Sequence, residues 1–222
     1  MLKYPCLVLD HDDTVVMSTP TINYPSFLES LAVLRPNYSI SYDEFIAYCF
    51  EPGFHEFIAD ILGYDEEEQK FEFDTWQRYI KTHIPDFYPD MAALVERQKR
   101  EGGLLCVVSH SGRENILRDY RTHCAVEPDI IFGWELGEQK RKPNPYPLNE
   151  IMRLYNLSPR DVLMVDDLLP GLTMANACKV DFAYAGWTTT VKEIAAKMCA
   201  LAPICLSSVK ELYRLQFGEG LA

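Results

Sequence analysis

Four groups of residues in this 222-residue chain carry side chains that could do chemistry. The first is the run DHDDT, Asp10–Thr14, which ends a short apolar stretch. Ser109, His110 and Ser111 end a second such stretch, and Asp166 and Asp167 end a third. Between these two lies KPNP, opened by Lys142. Carboxylates held together repel, by roughly 4 kcal/mol per pair at 4 Å in a medium of effective dielectric 20. Acids crowded at the end of a buried strand therefore need a reason. Carboxylates, a hydroxyl and an ammonium sharing one rim could move protons and hold charged groups.

The elements that must position them are legible as apolar runs. Cys6–Leu9, Leu104–Val108, Ile130–Phe132, Val162–Val165 and Phe182–Tyr184 have strand character, and helical patterns separate the later ones. Met91–Arg100 reads as a helix stopped by Gly102-Gly103, and Leu148–Leu154 as a helix with Leu148, Ile151, Met152 and Leu154 on its apolar side. Strands alternating with helices predict an α/β fold, a doubly wound parallel sheet. In such sheets ligands bind beyond the carboxyl ends of the strands, near the point where strand order reverses. All four groups follow a strand or lie between two.

From about Thr19 to Asp86 the rhythm breaks. Ser26–Leu34, Tyr42–Phe50 and His55–Leu62 are amphipathic at helical spacing, and prolines 20, 25, 36, 52 and 85 punctuate them. This predicts an all-α insertion over 18–86, with 1–17 and 87–222 forming the sheet-bearing core. Glu66-Glu67-Glu68 reads as a solvated helix face.

A net charge of −12 disfavours binding to a phosphate backbone, so no nucleic-acid partner is expected. No run of about 18 apolar residues exists, so no membrane span is expected. The start Met1-Leu-Lys-Tyr-Pro lacks the pattern of a signal peptide, which points to the cytoplasm. The seven cysteines form no C-x-x-C pair and read as reduced, mostly buried thiols.

Taken singly, each motif is more often a helix cap or a turn. The ordered set of DHDDT, Ser109, Lys142 and Asp166-Asp167 followed by Gly171 resembles the haloacid dehalogenase superfamily. The nearest branch is the helical-cap one that includes phosphoglycolate phosphatase-like and β-phosphoglucomutase-like proteins. The resemblance covers nearly the whole chain and implies a Rossmann-like core with a small helical cap inserted after the first strand. It further implies a Mg²⁺-dependent phosphatase acting on a small phosphorylated metabolite. Asp10 would be the nucleophile that forms an aspartyl-phosphate, and Asp12 the general acid and then base. Ser109 would bind a phosphoryl oxygen and Lys142 would offset the negative charge. Asp10, the backbone carbonyl of Asp12, Asp167 and Asp166 would hold Mg²⁺, a hard cation that takes oxygen ligands. Phosphate contacts would come from His11 and His110 through their backbone N–H groups, and from Thr14, Ser111 and, in the cap, His55.

Asp12 favours phosphate-ester chemistry, because the dehalogenases of the superfamily lack an acid there. A sugar-phosphate phosphomutase on the same core is the alternative. A receiver-like signalling module would place its acidic pair early in a chain of half the length, and a silent phosphate-binding protein would not need all four motifs. Three places depart from the pattern: Asp13 stands where most relatives have Gly, Met17 stands where the family usually has Asp, and motif four reads V-D-D-L where many read E-D-S. The insertion holds 13 acids against four bases over 19–86, a net of −9, which disfavours doubly anionic substrates. Pro52-Gly53, with Phe50 and Phe54, would form its substrate-facing loop, and cap closure would exclude water.

Overall fold

A computed structural model describes residues 2–218. Cys6–Leu9 (β1) is buried at every position, as expected of a strand covered on both faces. Leu104–Val108 (β2), Ile130–Phe132 (β3), Val162–Asp166 (β4), Asp181–Ala185 (β5) and Ile204–Leu206 (β6) complete a six-stranded sheet of order β3-β2-β1-β4-β5-β6. Every pairing is parallel. The fold class is therefore the α/β, doubly wound parallel sheet expected from the sequence. β6 is the strand the sequence did not reveal: three residues give no period to read, and two of them are not buried.

Strand order reverses at β1, which has β2 on one side and β4 on the other. The register sets Leu9 beside both Val107 and Val165. Residues 10, 109 and 166 consequently leave the sheet at one end, next to one another. The core beneath them includes Leu7, Leu9, Val107, Leu163 and Val165, packed against Met91, Leu94 and Val95 of helix Met91–Arg100.

Two compact units are present: residues 1–17, 86–188 and 196–222 form one, and residues 18–85 with 189–195 the other. The segment 189–195 had no such placement in the sequence reading. Where the chain leaves and re-enters the first unit, Met17 N–H donates to the Asp86 carbonyl (2.8 Å) and Tyr88 N–H to the Val15 carbonyl (2.9 Å).

Within the second unit, Phe27, Leu31, Phe45, Phe57 and Ile58 form an aromatic-rich core. Helix Tyr24–Leu34 packs on helix Glu66–Thr82. His55–Leu62 is less regular than its pattern suggests: a short helix, Phe54–Glu56, runs into a π-helical turn, Phe57–Ile61. Glu66-Glu67-Glu68 is more than a solvated face. Glu68 closes a capping box with Asp65 and pairs in bidentate fashion with Arg35 at 2.7 and 2.9 Å. Glu72 of the same helix is 5% exposed, and burial alone pushes its carboxyl up to about 7.

The reading of all cysteines as thiols is corrected at one pair. Cys199 of helix Lys192–Leu201 and Cys205 of β6 are disulfide-bonded, with Cα atoms 5.1 Å apart. Only a short link separates helix and strand, so the two sulfurs are held face to face. Cys6 and Cys106 remain buried thiols, their sulfurs 3.7 Å apart between neighbouring strands.

The loop after β1 turns sharply. Asp13 has φ +54°, in the left-handed region. Glycine enters that region freely, and Asp is among the few other residues that tolerate it. This explains why Asp can stand where the resemblance leads us to expect Gly. We expect Asp13→Gly to fold with undiminished stability and Asp13→Val to lose about 1–2 kcal/mol, the left-handed penalty of a side chain with a Cβ branch. Urea unfolding of both variants checks this, and equal stabilities would remove the conformational explanation.

A second expectation concerns Glu72. Its folded pKa lies above the unfolded value of 4.5, so its effect is absent at low pH and destabilising once pH rises through about 7. The shift corresponds to about 3 kcal/mol of lost stability. Thermal unfolding of wild type should weaken between pH 5 and pH 8 relative to Glu72→Gln. Parallel pH profiles of the two proteins would show that Glu72 is not buried as a charge.

Candidate active site

The rim of β1, β2 and β4 gathers the four motifs within the first unit. Asp10 leaves β1, and its N–H donates to the Val165 carbonyl of β4 (2.9 Å). Its carboxylate is 4% exposed. Lys142 reaches it from the loop before helix Tyr146–Tyr155. The Lys142 ammonium donates to Asp10 Oδ1 (2.6 Å) and to Asp166 Oδ2 (2.7 Å). Burial by itself would drive the Lys142 pKa down, but the two carboxylates beside it reverse this and raise it. Asp166 is fully buried, and burial pushes its carboxyl up to about 6 despite Lys142.

Asp166 is held from both sides. Its Oδ1 accepts from Leu168 N–H (2.8 Å) at the start of helix Leu169–Cys178. A Cβ on Gly171 would stand 2.5 Å from Asp166 Cγ and 2.6 Å from its Cβ. Only glycine leaves room there for that carboxylate.

Asp167 is partly exposed, and Thr14 Oγ donates to its Oδ1 (3.4 Å). Desolvation raises the Asp167 carboxyl well above the usual range, and the negative charges of Asp166, Asp10 and Asp13 add to this. Carboxylate oxygens of Asp10, Asp166 and Asp167 lie within 4.8 Å of one another. Three hard oxygen donors that repel one another, with one ammonium among them, fit a divalent cation. Asp166 already has both oxygens engaged, so Asp10 and Asp167 offer the freer lone pairs.

The β2 rim supplies hydroxyls. Ser109 is 2% exposed, and its Oγ accepts from Ser111 N–H (3.1 Å). That leaves the Ser109 hydroxyl hydrogen for an acceptor. Ser111 in turn donates its own hydroxyl hydrogen to Asp12 Oδ2. Ser111 thus touches a carboxylate, a contact its sequence position did not suggest. His110 is exposed and donates Nε2–H to the Lys142 carbonyl (2.9 Å), tying the β2 rim to the lysine loop. Desolvation lowers the His110 pKa and the Lys142 charge lowers it further.

Thr14 is fully buried, and its carbonyl accepts from Trp187 Nε1–H (3.1 Å). The His11 side chain lies 1% exposed and points away from the acids, toward Asp119 of helix Arg113–His123. Sequence reasoning missed Asp119 and Trp187, since neither belongs to a motif. Asp10, Asp12, Thr14, Ser109, Ser111, Lys142, Asp166 and Asp167 are brought together. His55 belongs to the second unit, on helix Phe54–Glu56, and is exposed.

No helix among the described residues is long and apolar enough to cross a membrane.

Solved structures of the same fold exist. A protein described as haloacid dehalogenase-like, from Bacteroides fragilis, is 23% identical, with 95% of this chain and 100% of that one covered and a TM-score of 0.74. CbbY from Rhodobacter sphaeroides, solved in complex with phosphate, is 21% identical, with 96% of each chain covered and a TM-score of 0.68. A predicted phosphoglycolate phosphatase from Haemophilus somnus is 18% identical, with 83% and 86% covered and a TM-score of 0.68. No curated protein matches the chain. The family model described as haloacid dehalogenase-like hydrolase matches residues 7–185, a span from β1 to the end of β5 that holds every acid, hydroxyl and cation of the rim; the chain is a member of that hydrolase family.

Proposed function

We propose that this hydrolase is a Mg²⁺-dependent phosphatase that cleaves a small phosphorylated metabolite through an aspartyl-phosphate on Asp10. The observation that carries the proposal is the buried ammonium of Lys142, shared between Asp10 and Asp166 at 2.6 and 2.7 Å. A buried carboxylate paired in this way is held in one position, as an attacking group must be. The likeness to CbbY, solved with phosphate, and to a predicted phosphoglycolate phosphatase supports the same substrate class.

The residues divide the work by their free atoms. Asp10 uses the carboxylate oxygen not bonded to Lys142 to attack phosphorus, and the bond to the leaving oxygen breaks. Asp12 gives that oxygen a proton. Water then attacks the aspartyl-phosphate, Asp12 takes the water's proton, and inorganic phosphate leaves with Asp10 regenerated. Ser111, bonded to Asp12 Oδ2, leaves the other Asp12 oxygen to carry the proton. Ser109 donates its free hydroxyl hydrogen to a phosphoryl oxygen, and the third N–H of Lys142 is available to another. Mg²⁺, held by Asp10, Asp167, the Asp12 carbonyl and Asp166, would neutralise carboxylate and phosphoryl charge. What remains is positioning and electrostatics, which is what phosphoryl transfer asks of a protein.

Purified wild type should release phosphate from p-nitrophenyl phosphate with Mg²⁺ and lose that activity with a chelator. Asp10→Asn should reduce turnover to background. Absence of metal-dependent phosphate release from a broad panel of phosphometabolites would overturn the proposal.

The Gly171 contact generates a further expectation. Gly171→Ala must push the Asp166 carboxylate aside and disturb its bond to Lys142. Displacements of about 1 Å in such sites cost up to roughly 100-fold in rate, so kcat should fall by at least roughly tenfold while the protein stays folded. Full activity in Gly171→Ala would show that the Asp166 position is not needed.

A further inference from the structure

His11 stands between Asp10 and Asp12, and its carbonyl, its ring face and its Nε2 are all engaged. Its carbonyl accepts from the N–H groups of Thr14 (3.4 Å), Val15 (2.9 Å) and Val16 (3.1 Å). The loop therefore wraps around this one oxygen. Its ring is buried, stacked on Tyr120 with centroids 6.0 Å apart. Its Nε2 lies 3.0 Å from Asp119 Oδ2. Asp119 is itself 2% exposed, and its other oxygen accepts from Arg118 Nε (2.8 Å) and Nη2 (2.7 Å). The carboxylate is thus pinned on its helix before it meets the histidine.

We infer that Asp119 is a positioning residue for this hydrolase: acting through His11, it fixes the loop that presents Asp10 and Asp12. The role in turnover rests on the phosphatase reading, whereas the role in holding the loop does not. A polar ring buried in a chain's most sensitive turn is costly unless its nitrogen is bonded. His11 Nδ1 already lacks a partner, so Asp119 is what keeps the ring in place. Among the described residues the Asp119 carboxylate is bonded to His11 and Arg118 and to none of the rim acids. Its effect on them must pass through the one residue that separates Asp10 from Asp12.

A double-mutant comparison separates this from general support of the fold. In Asp119→Ala the His11 ring loses its only bond and the loop should loosen. Amide exchange at Thr14, Val15 and Val16 should accelerate while exchange in β1 and β4 stays at the wild-type rate. The kcat for p-nitrophenyl phosphate should fall about tenfold with KM within about twofold, since misplacement acts on the reacting atoms. His11→Phe keeps the stack on Tyr120 and has no nitrogen to satisfy. Adding it to Asp119→Ala should restore both the slow amide exchange and most of kcat. If Asp119→Ala proves unable to fold, Asp119→Asn replaces it, with the same direction and smaller size.

Wild-type amide exchange in the Asp119 variant would overturn the inference. So would a double variant in which the two losses simply add, because Asp119 would then act independently of His11. A wild type without phosphatase activity, but with the exchange pattern above, would overturn the proposed function and leave the hold of Asp119 on the loop standing.

Discussion

The contact on which the rest of the site depends is the ammonium of Lys142 between Asp10 and Asp166. All three groups are 6% exposed or less. Burying charge is expensive, and an ion pair offsets the cost only when geometry is good and spare lone pairs are bonded. Here one cation serves two anions, with Asp167 as a third acid nearby. The arrangement stays short of positive charge. Asp166 and Asp167 accordingly have their carboxyls pushed upward, by burial first in both; the Asp10 charge adds to the rise at Asp166 against the pull of Lys142, and the Asp166 and Asp10 charges add to it at Asp167. Three carboxylates crowded around a single ammonium are suited to holding a divalent cation.

The sheet makes this possible at little local strain. Parallel register puts Leu9 beside Val165, so Asp10 and Asp166 emerge as neighbours. The strands beneath are buried on both faces, so a one-residue slip would swap which side chains meet each covering layer and break the close packing there. Fine placement is left to small backbone devices. Asp13 takes a left-handed turn that swings the chain back toward Val16. Gly171 removes a Cβ from the space Asp166 needs. His110 binds the Lys142 carbonyl, so the lysine loop and the β2 rim move as one.

What the sequence disclosed follows the same division. Strands β1 to β5 were readable because buried parallel strands are unbroken apolar runs, and the acids and hydroxyls at their ends are local features. β6 was too short to show a period. Asp119 was invisible because its partner His11 lies 108 residues away, and no periodicity reports a pairing at that distance. Glu68 looked like part of an exposed acidic run until Arg35, 33 residues earlier, was seen to clasp it. Glu72 sits one turn along the same helix, buried with no compensating charge; an acid facing inward has the same letter as an acid facing water. The bond between Cys199 and Cys205 required knowing that a helix end and an edge strand face each other. Asp13 was the anomaly of the opening motif, and only its backbone angle resolves it.

Hydrogen-bond inventory then decides which atoms remain for chemistry. Asp10 spends one oxygen on Lys142, and the proposed attack on phosphorus would use the other. Lys142 spends two of its three N–H groups on carboxylates and keeps one. Ser109 accepts through Oγ from the Ser111 amide, so its hydroxyl must donate elsewhere. Ser111, two residues on, donates to Asp12 Oδ2 and so leaves the other Asp12 oxygen for the proton that the proposed mechanism has it carry. The two-residue spacing of Ser109 and Ser111 therefore places, in one turn of chain, one hydroxyl with its hydrogen unspent and one that orients Asp12. On the proposed mechanism, a hydroxyl lost at Ser109 would remove a phosphoryl donor and one lost at Ser111 would release the Asp12 carboxylate, each with the acids left in place, so the β2 rim would matter alongside the acids it faces.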